Sequence, residues 1–186
     1  MVAMLAFGGT FAYFTAKSNA VEAQKITMAH VTLKADSATA TLSMSQQNAA
    51  LPGDAVKLTA EVENASNRKV YIFVQIKTAN DSTMGLDLTG ESGEWKAATV
   101  EGFSNVYYIT SEAAAKVTWE KEATLTETGN STSDNGVVAG NMDKIITITV
   151  KFAATQYAKT STTAGVETPF AVTEAFDLVK AEFTAD

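Results

Sequence analysis

The chain has 186 residues, 46% of them apolar, which is enough to bury one sizeable core, so a single folded domain is expected. Its formal net charge of -7 and the lack of any Lys/Arg cluster argue against binding to nucleic acid or to anionic membranes, which both require a basic surface. The absence of cysteine rules out disulfides, thiol catalysis and thiolate metal sites.

An apolar run, Met1–Phe14, opens the sequence. It is too short to cross a bilayer, which takes about 20 apolar residues. Residues 1–13 have the character of a secretory signal that is removed on export, although the basic residues that usually precede such a segment are missing. The alternative is a retained segment that is buried against another surface. Because Ala12-Tyr13-Phe14 places small and aromatic residues at a plausible cleavage point, the mature chain is expected to begin near Phe14.

From Ile26 onward, apolar and polar residues alternate with a period of two, which is typical of β-strands. The clearest case is 144–156, where every second residue from Ile146 to Ala154 is apolar. Residues 70–78 are apolar on both faces at their start, which indicates a central strand. Further strands are predicted at 26–35, 39–44, 56–62 and 117–125, and a hairpin at 95–109 with its turn at Glu101-Gly102.

Turn and loop signals separate these strands. Pro52-Gly53-Asp54 predicts a tight turn, because Pro fixes φ at the first corner and Gly tolerates the second. A single helical turn is predicted after Ser111, which can cap it. Thr168-Pro169 predicts the start of a short helix at 170–179, with an edge strand as the alternative. Polar loops are predicted at 78–94 and 127–143, the second being the most mobile.

Short antiparallel strands with long loops, and no regular alternation of strands with helices, define the expected fold class. They predict an all-β, jelly-roll-like β-sandwich of antiparallel strands, with one or two short helices in loops. The sequence contains no internal repeat.

Residue types that carry metal or acid–base chemistry are sparse. His30 is the only histidine, so neither a paired-histidine metal site nor a Ser-His dyad can be built, and a half-exposed strand position is expected for it. A calcium site made of oxygen ligands stays an alternative, although the spacing does not match an EF-hand. The loop aspartates that would supply it are Asp81, Asp87, Asp134 and Asp143. We predict no catalytic residue, no metal site and no cofactor.

Four aromatic residues form a second candidate site, a platform on which sugars could stack. Aromatic residues on alternating strands more often pack in a core or as cross-strand pairs, so core positions are expected for them. They are Trp95, Trp119, Tyr107 and Tyr108. Three glycosylation sequons matter only in a host that glycosylates; they begin at Asn64, Asn80 and Asn130.

A succession of short motifs resembles a known family. Gly8–Thr15, a polar arm and Ile26–Leu33 together resemble the start of TasA and camelysin-type proteins, which are exported with a dedicated SipW-type signal peptidase. The remaining motifs similar to that family are Leu51-Pro52-Gly53-Asp54, Val62-Glu63-Asn64, Tyr71-Ile72-Phe73-Val74, Trp95, Glu101-Gly102, Tyr107-Tyr108, Ile146-Thr147-Ile148-Thr149-Val150 and Ala153-Ala154-Thr155-Gln156. The resemblance covers most of the chain, but the missing basic residues at the start and the long polar loop after Leu125 depart from it.

The resemblance implies a jelly-roll subunit, residues 26–186, of extracellular biofilm-matrix fibres. It also implies that residues 14–25, freed by removal of residues 1–13, form an arm that pairs as a donor strand with the next subunit. An incoming strand satisfies the unpaired main-chain groups of a sheet edge, and head-to-tail pairing of this kind builds filaments. A disordered tail is the alternative for the arm. The arm residues expected to act in assembly are Phe14, Ala16, Ser18, Ala20, Val21 and Ala23.

The same resemblance sets the expected partners and location. The chain is expected to be secreted to the matrix or cell surface of a Gram-positive-type bacterium and to form a homopolymer, with a minor nucleating or anchoring matrix protein as a further partner. Nucleic acid, stable membrane insertion after processing and enzymatic activity are not expected. Two alternatives stay open: a monomeric cell-surface adhesin or ligand-binding β-sandwich, and a camelysin-like metal-dependent protease, for which no zinc ligand set is visible.

Overall fold

The computed structural model describes residues 16–17, 31–34, 37–44, 51–80, 84–127, 146–159 and 167–186. Their strands are β1 (Ala16–Lys17), β2 (Thr39–Met44), β3 (Ala55–Glu63), β4 (Val70–Asn80), β5 (Met84–Leu86), β6 (Lys96–Ala97), β7 (Val106–Ser111), β8 (Lys116–Glu127), β9 (Ile146–Gln156), β10 (Ala158–Lys159) and β11 (Thr168–Pro169). An α-helix, α1 (Val172–Asp177), and a 3₁₀ helix (Lys180–Glu182) follow. His30 and almost all of the predicted loop at 127–143 lie outside the described residues.

The strands form two antiparallel sheets. A five-stranded sheet has the order β1-β9-β4-β7-β6, a four-stranded sheet has the order β2-β3-β8-β5, and β10 pairs with β11 separately. Every described strand pair is antiparallel. The prediction of an all-β sandwich of antiparallel strands with short helices is confirmed. In the described part of the chain, no helix has the length and apolar character needed to cross a membrane.

The main core lies between the two sheets, because alternate residues of both sheets face it. In β3 the predicted alternation is confirmed, and its inward residues are Val56, Leu58, Ala60 and Val62. The tight turn ahead of β3 is also confirmed: Gly53 has a φ of 98° and the Asp54 amide donates to Leu51 O at 3.0 Å. The alternation and the turn together fix which face of β3 is buried.

A second apolar cluster covers the other face of the five-stranded sheet. Phe73 of β4 and Ala153 of β9 lie in it, together with Phe176 of α1. The Phe73 and Phe176 rings meet edge to face, with their centroids 5.4 Å apart. β4 is therefore buried on both faces, which confirms the prediction of a central strand.

Three local predictions are wrong. Of the strand predicted at 26–35, the described residues 31–34 form no strand, and Leu33 makes an isolated bridge with Asn64. The segment predicted as a polar loop at 78–94 contains β5, and Leu86 and Leu88 in it are buried. The helical turn predicted after Ser111 is a tight turn between β7 and β8, in which Ala114 has a φ of 55°. The short strand β5 and the turn after Ser111 are too short to show a periodic pattern. The polar composition of 78–94 therefore led to the prediction of a loop, and the capping preference of Ser111 led to the prediction of a helical turn.

Near Thr168-Pro169 the structure contains both predicted alternatives, a short strand and a short helix. Thr168–Pro169 forms β11, and the helix follows at Val172–Asp177, shorter than predicted. Glu174 accepts from the Ala171 amide at 3.0 Å and pairs with Lys159 at 2.7 Å. The first bond caps the helix and the second ties it to β10, so the Lys159 ammonium and the Ala171 amide lower the pKa of Glu174.

The last residues are fastened to the five-stranded sheet. The buried side chain of Gln75 donates to Thr184 O at 2.8 Å and to Ser104 O at 3.3 Å, and it accepts from the Thr184 amide at 2.9 Å. Asp186 accepts from Ser104 Oγ at 2.6 Å and from Lys77 Nζ at 3.0 Å, and these two donors lower its pKa. This segment keeps Phe183 over the second apolar cluster.

We expect Gln75→Leu to lower the free energy of unfolding by about 2–4 kcal/mol, because the main-chain groups of Thr184 and Ser104 lose buried partners. Urea unfolding followed by circular dichroism measures the change. Thr78→Ala, at an exposed position of the same strand, is the control and should change stability by less than about 0.5 kcal/mol. Equal stability of the two variants would contradict this account of the C-terminal segment.

Candidate functional site

The candidate site is the outer edge of β9, the edge that faces away from β4. There β1 pairs with β9 in antiparallel register, Ala16 opposite Ala154 and Lys17 opposite Ala153. β9 has 11 residues, and β1 accounts for two of them. No other described strand pairs with Ile146–Phe152 on this side. Of the predicted arm residues, only Ala16 is described; Phe14, Ser18, Ala20, Val21 and Ala23 lie outside the described residues.

The register identifies which main-chain groups point outward from β9. The Ile76 amide donates to Asn105 O on the β7 side of β4, so Gln75, next to it, faces β9. Gln75 lies opposite Lys151, so Lys151 points its main-chain groups back to β4. Because the direction alternates along a strand, the N–H and C=O groups of Val150 and Phe152 point away from β4. Ile146, Ile148 and Ala154 share that direction.

These outward-bonding residues also carry the side chains of β9 that contact the main core. Their burial falls along the strand: Ala154 and Phe152 are buried, and Val150, Ile148 and Ile146 are only half-buried although they contact the main core. The sandwich is therefore incompletely covered at this edge, over the same stretch where the main-chain groups lack a described strand partner.

At the opposite edge of each sheet, side chains rather than a further strand bond to the main chain. Beyond β5, the Ser92 hydroxyl bonds both the amide and the carbonyl of Glu120 in β8, and the Trp95 indole donates to Thr118 O at 2.7 Å. On β6, the Ala97 amide donates to the Glu91 carboxylate at 3.2 Å. Side chains thus replace a neighbouring strand at both places, which is how proteins commonly protect sheet edges.

The segment 31–34 is held by a polar network that sequence analysis missed. The Ser66 hydroxyl accepts from the Thr32 amide at 2.9 Å and donates to Thr32 O at 3.2 Å, and the neighbouring Leu33 is buried. Asn64 is fully buried, accepts from the Ser66 amide at 2.8 Å and donates to Glu112 O at 2.7 Å. Asn64 therefore joins β3, the β7–β8 turn and the segment 31–34, and it is not accessible for glycosylation. The Asn-x-Ser pattern was available in the sequence as an Asx-turn signal.

The aromatic residues considered for sugar stacking are core residues. Trp95, Trp119 and Tyr107 are buried, and Tyr108 is half-buried against Tyr71 and Phe73. The Tyr107 and Trp119 rings lie 5.8 Å apart. Trp95, Trp119 and Tyr107 therefore have no face free for a ligand, and burial raises the pKa of Tyr107.

Of the four loop aspartates considered as calcium ligands, the structure describes Asp87; the other three lie outside the described residues. Asp87 accepts from the amide and the hydroxyl of Thr89, and these bonds lower its pKa. Within the described ranges, no group of three or more His, Asp or Glu side chains is placed to hold a metal ion.

One open cleft of about 370 Å³ lies between the turn after β6 and α1. Val100, Phe103 and Phe176 form its apolar walls, and Asp177 and Lys180 at its rim pair with each other at 3.0 Å. Its walls belong to the second apolar cluster. The cleft offers a ligand an apolar surface. The two charged residues of the described ion pair at its rim, Asp177 and Lys180, bond to each other.

Comparison with known proteins adds no neighbour: no family model matches the chain, and neither curated proteins nor solved structures give a match.

We expect the outward-pointing amides of Ile148 and Val150 to exchange with deuterium faster than the inward-pointing amides of Thr149 and Lys151, by about tenfold or more, because only the second pair bonds to β4. Residue-resolved exchange by NMR on the isolated subunit tests this alternation. Uniform protection along the four residues would mean that another strand already covers the edge.

Proposed function

We propose that the chain is a secreted structural subunit without catalytic activity that polymerises head-to-tail into extracellular matrix fibres. The joint is donor-strand pairing of the arm of one subunit with the outer edge of β9 of the next. The observation that carries the proposal is the pairing of Ala16 and Lys17 with β9, beside a stretch of the same edge that lacks a described partner.

The register at Ala16 and Lys17 supports this joint. If it continues without a bulge, Gln24 lies opposite Ile146 and Phe14 lies opposite Gln156. Residues 14–24 of the arm would then lie opposite the 11 described residues of β9.

The side chains of the arm also match the burial along β9. Cross-strand partners lie on the same face of a sheet. Ala16 and Ser18, both small, would face the buried Ala154 and Phe152, whereas Glu22 would face the half-buried Ile148. Small residues thus meet the closed end of the edge and longer polar residues meet its open end. Val21 and Ala23 would lie on the opposite face and would not fill the edge.

The energy of such a joint is moderate. An arm paired along β9 makes roughly one hydrogen bond per residue, each worth about 0.5–1.5 kcal/mol net. Covering the half-exposed apolar side chains adds about 2–4 kcal/mol at ~25 cal/mol per Å². Association costs on the order of 4–15 kcal/mol of lost freedom. One defect in the arm is therefore enough to prevent growth of a filament.

Fewer observations support the two alternative functions. A ligand-binding or adhesive sandwich would use the cleft beside α1, whose apolar walls are described above. A metal-dependent protease needs a ligand set around one histidine, and His30 lies outside the described residues. Neither alternative explains the matching of the arm with β9, so the fibre subunit is preferred.

Deleting residues 14–24, or introducing Ala20→Pro, should leave a folded monomer that forms no filaments by negative-stain electron microscopy. The deletion removes the donor strand, and proline removes an amide that the pairing uses. Ala20→Ser is the matched control, because it keeps the amide and the small size, and it should assemble normally. Normal filaments from the deletion variant would leave the adhesin as the better proposal.

A charge placed on β9 tests the acceptor side. Ile148→Glu should abolish filaments, because the new carboxylate faces Glu22 of the incoming arm, while Thr149→Glu puts the same charge on the opposite, exposed face and should assemble. Adding Glu22→Lys to Ile148→Glu should restore filaments by pairing the two charges. Equal assembly of Ile148→Glu and Thr149→Glu, in pelleting assays on folded protein, would exclude this edge as the acceptor.

A further inference from the structure

We propose that the cleft between α1 and the turn at 100–103 binds a small aromatic amine, with its aromatic body against the apolar walls and its ammonium group near Glu101. The cleft has a volume of about 370 Å³, at the lower end of the range of small-molecule sites, which is about 300–1,000 Å³. It therefore suits a small molecule rather than an extended chain. All of its lining residues are described, and the inference does not depend on assembly at β9.

Both walls of the cleft are held in place without a ligand. In the turn that begins at Val100, the Phe103 amide donates to Val100 O at 3.4 Å, and Gly102 has a φ of 76°, which glycine adopts readily. The Asp186 amide donates to Gly102 O at 3.0 Å and ties this turn to the C-terminal segment. On the other side, the Phe176 ring meets the Phe103 ring edge to face, with the centroids 5.1 Å apart. A site that is formed in advance loses little entropy when a ligand binds.

The apolar walls favour an aromatic body. Val100 and Phe103 are half-buried, so both keep part of their side chains exposed where they line the cleft. The rings of Phe176 and Phe103 meet at 74°, which is the edge-to-face arrangement that aromatic side chains prefer. A further ring placed against Phe103 can adopt a similar arrangement, and it removes apolar surface from water. A ligand with a polar body, such as a sugar, gains less from these walls.

The charges at the rim of the cleft favour a cation. Glu101 is exposed, and within the described part of the chain it has no hydrogen-bond or ion-pair partner. Asp177 and Lys180 pair with each other at 3.0 Å. The lining therefore carries two carboxylates and one ammonium, in a chain whose net charge is -7. An ammonium group on the ligand is attracted to Glu101, whereas a carboxylate in the same place is repelled.

A series of indole compounds with the same aromatic body and different charges tests the assignment. The series is tryptamine, which carries an ammonium group, tryptophol, which is neutral, and indole-3-acetate, which carries a carboxylate. Each compound is titrated into the full 186-residue chain at neutral pH and followed by residue-resolved NMR. We expect tryptamine to bind with a dissociation constant on the order of millimolar and to shift the signals of Val100, Phe103 and Asp177. Tryptophol should bind about two- to fivefold more weakly, as the loss of one exposed ion pair implies, and indole-3-acetate more weakly still.

Substitutions separate the charge of the cleft from its shape. Glu101→Gln should weaken tryptamine binding to about the level of tryptophol and leave tryptophol binding unchanged, because it removes the charge alone. Glu94→Gln, at an exposed carboxylate that does not line the cleft, is the matched control and should change neither affinity. Thr173→Trp, at an exposed position of α1 that lines the cleft, fills the space and should abolish binding of all three compounds. Circular dichroism checks that each variant is folded.

Two kinds of result would overturn the inference. Equal affinities for tryptamine and indole-3-acetate, or an unchanged tryptamine affinity in Glu101→Gln, would show that Glu101 does not select a cation. Signal shifts confined to residues outside the cleft, undiminished binding by Thr173→Trp, or no shift at concentrations well above the expected dissociation constant would show that the cleft is not the site. Filament formation without binding of tryptamine overturns this inference and leaves the proposed function standing, and binding without filaments does the reverse.

Discussion

The main-chain groups of an edge strand must find hydrogen-bond partners, and this requirement at β9 is the constraint on which the rest of the structure depends. At β8 and β6 the chain satisfies it with its own side chains, through Ser92, Trp95 and Glu91. At β9 it uses a strand, β1, which covers only one end in the described residues. Among the described residues, β9 therefore has an edge that a strand covers at one end only.

The remainder of the sandwich keeps that edge rigid. β9 pairs with β4 along all of its 11 residues, and β4 is buried on both faces. The helix α1 and the C-terminal segment hold the second apolar cluster against these strands, with Gln75 bonding Thr184 from both ends of its amide. A rigid acceptor loses little entropy when a strand joins it, so more of the bonding energy goes into the joint. Features that resemble ordinary core packing thus support the edge.

The sequence pattern was sufficient to predict a strand and its buried face wherever the strand is long and its other face is exposed to solvent. The alternation in β3 and in the first part of β9 predicted both the strands and the faces that contact the main core, because period two persists over nine residues of β3 and from Ile146 to Phe152 in β9. It failed where tertiary contacts decide. Leu86 and Leu88 are buried because a short segment closes the edge of β8, which no local pattern indicates. For the proposed joint, the family resemblance suggested the arm but not the strand that would accept it, because the proposed acceptor depends on strand order, and strand order is a property of the whole sheet.

An open edge brings a risk of unselective pairing, and the sequence limits it in two ways. The net charge of -7 makes subunits repel one another at a distance, so two edges rarely meet without a specific attraction. The second limit is shape. The side chains of β9 that contact the main core become more buried from Ile146, which is half-buried, to Ala154, which is fully buried. Only an arm with polar residues opposite Ile146 and small residues opposite Ala154 fits this gradient of burial. A strand with bulky side chains opposite Ala154 would have to open the core, which costs about 1–3 kcal/mol per overpacked site. In the proposed joint, selectivity would therefore reside at the end of the edge near Ala154, where the side chains are buried.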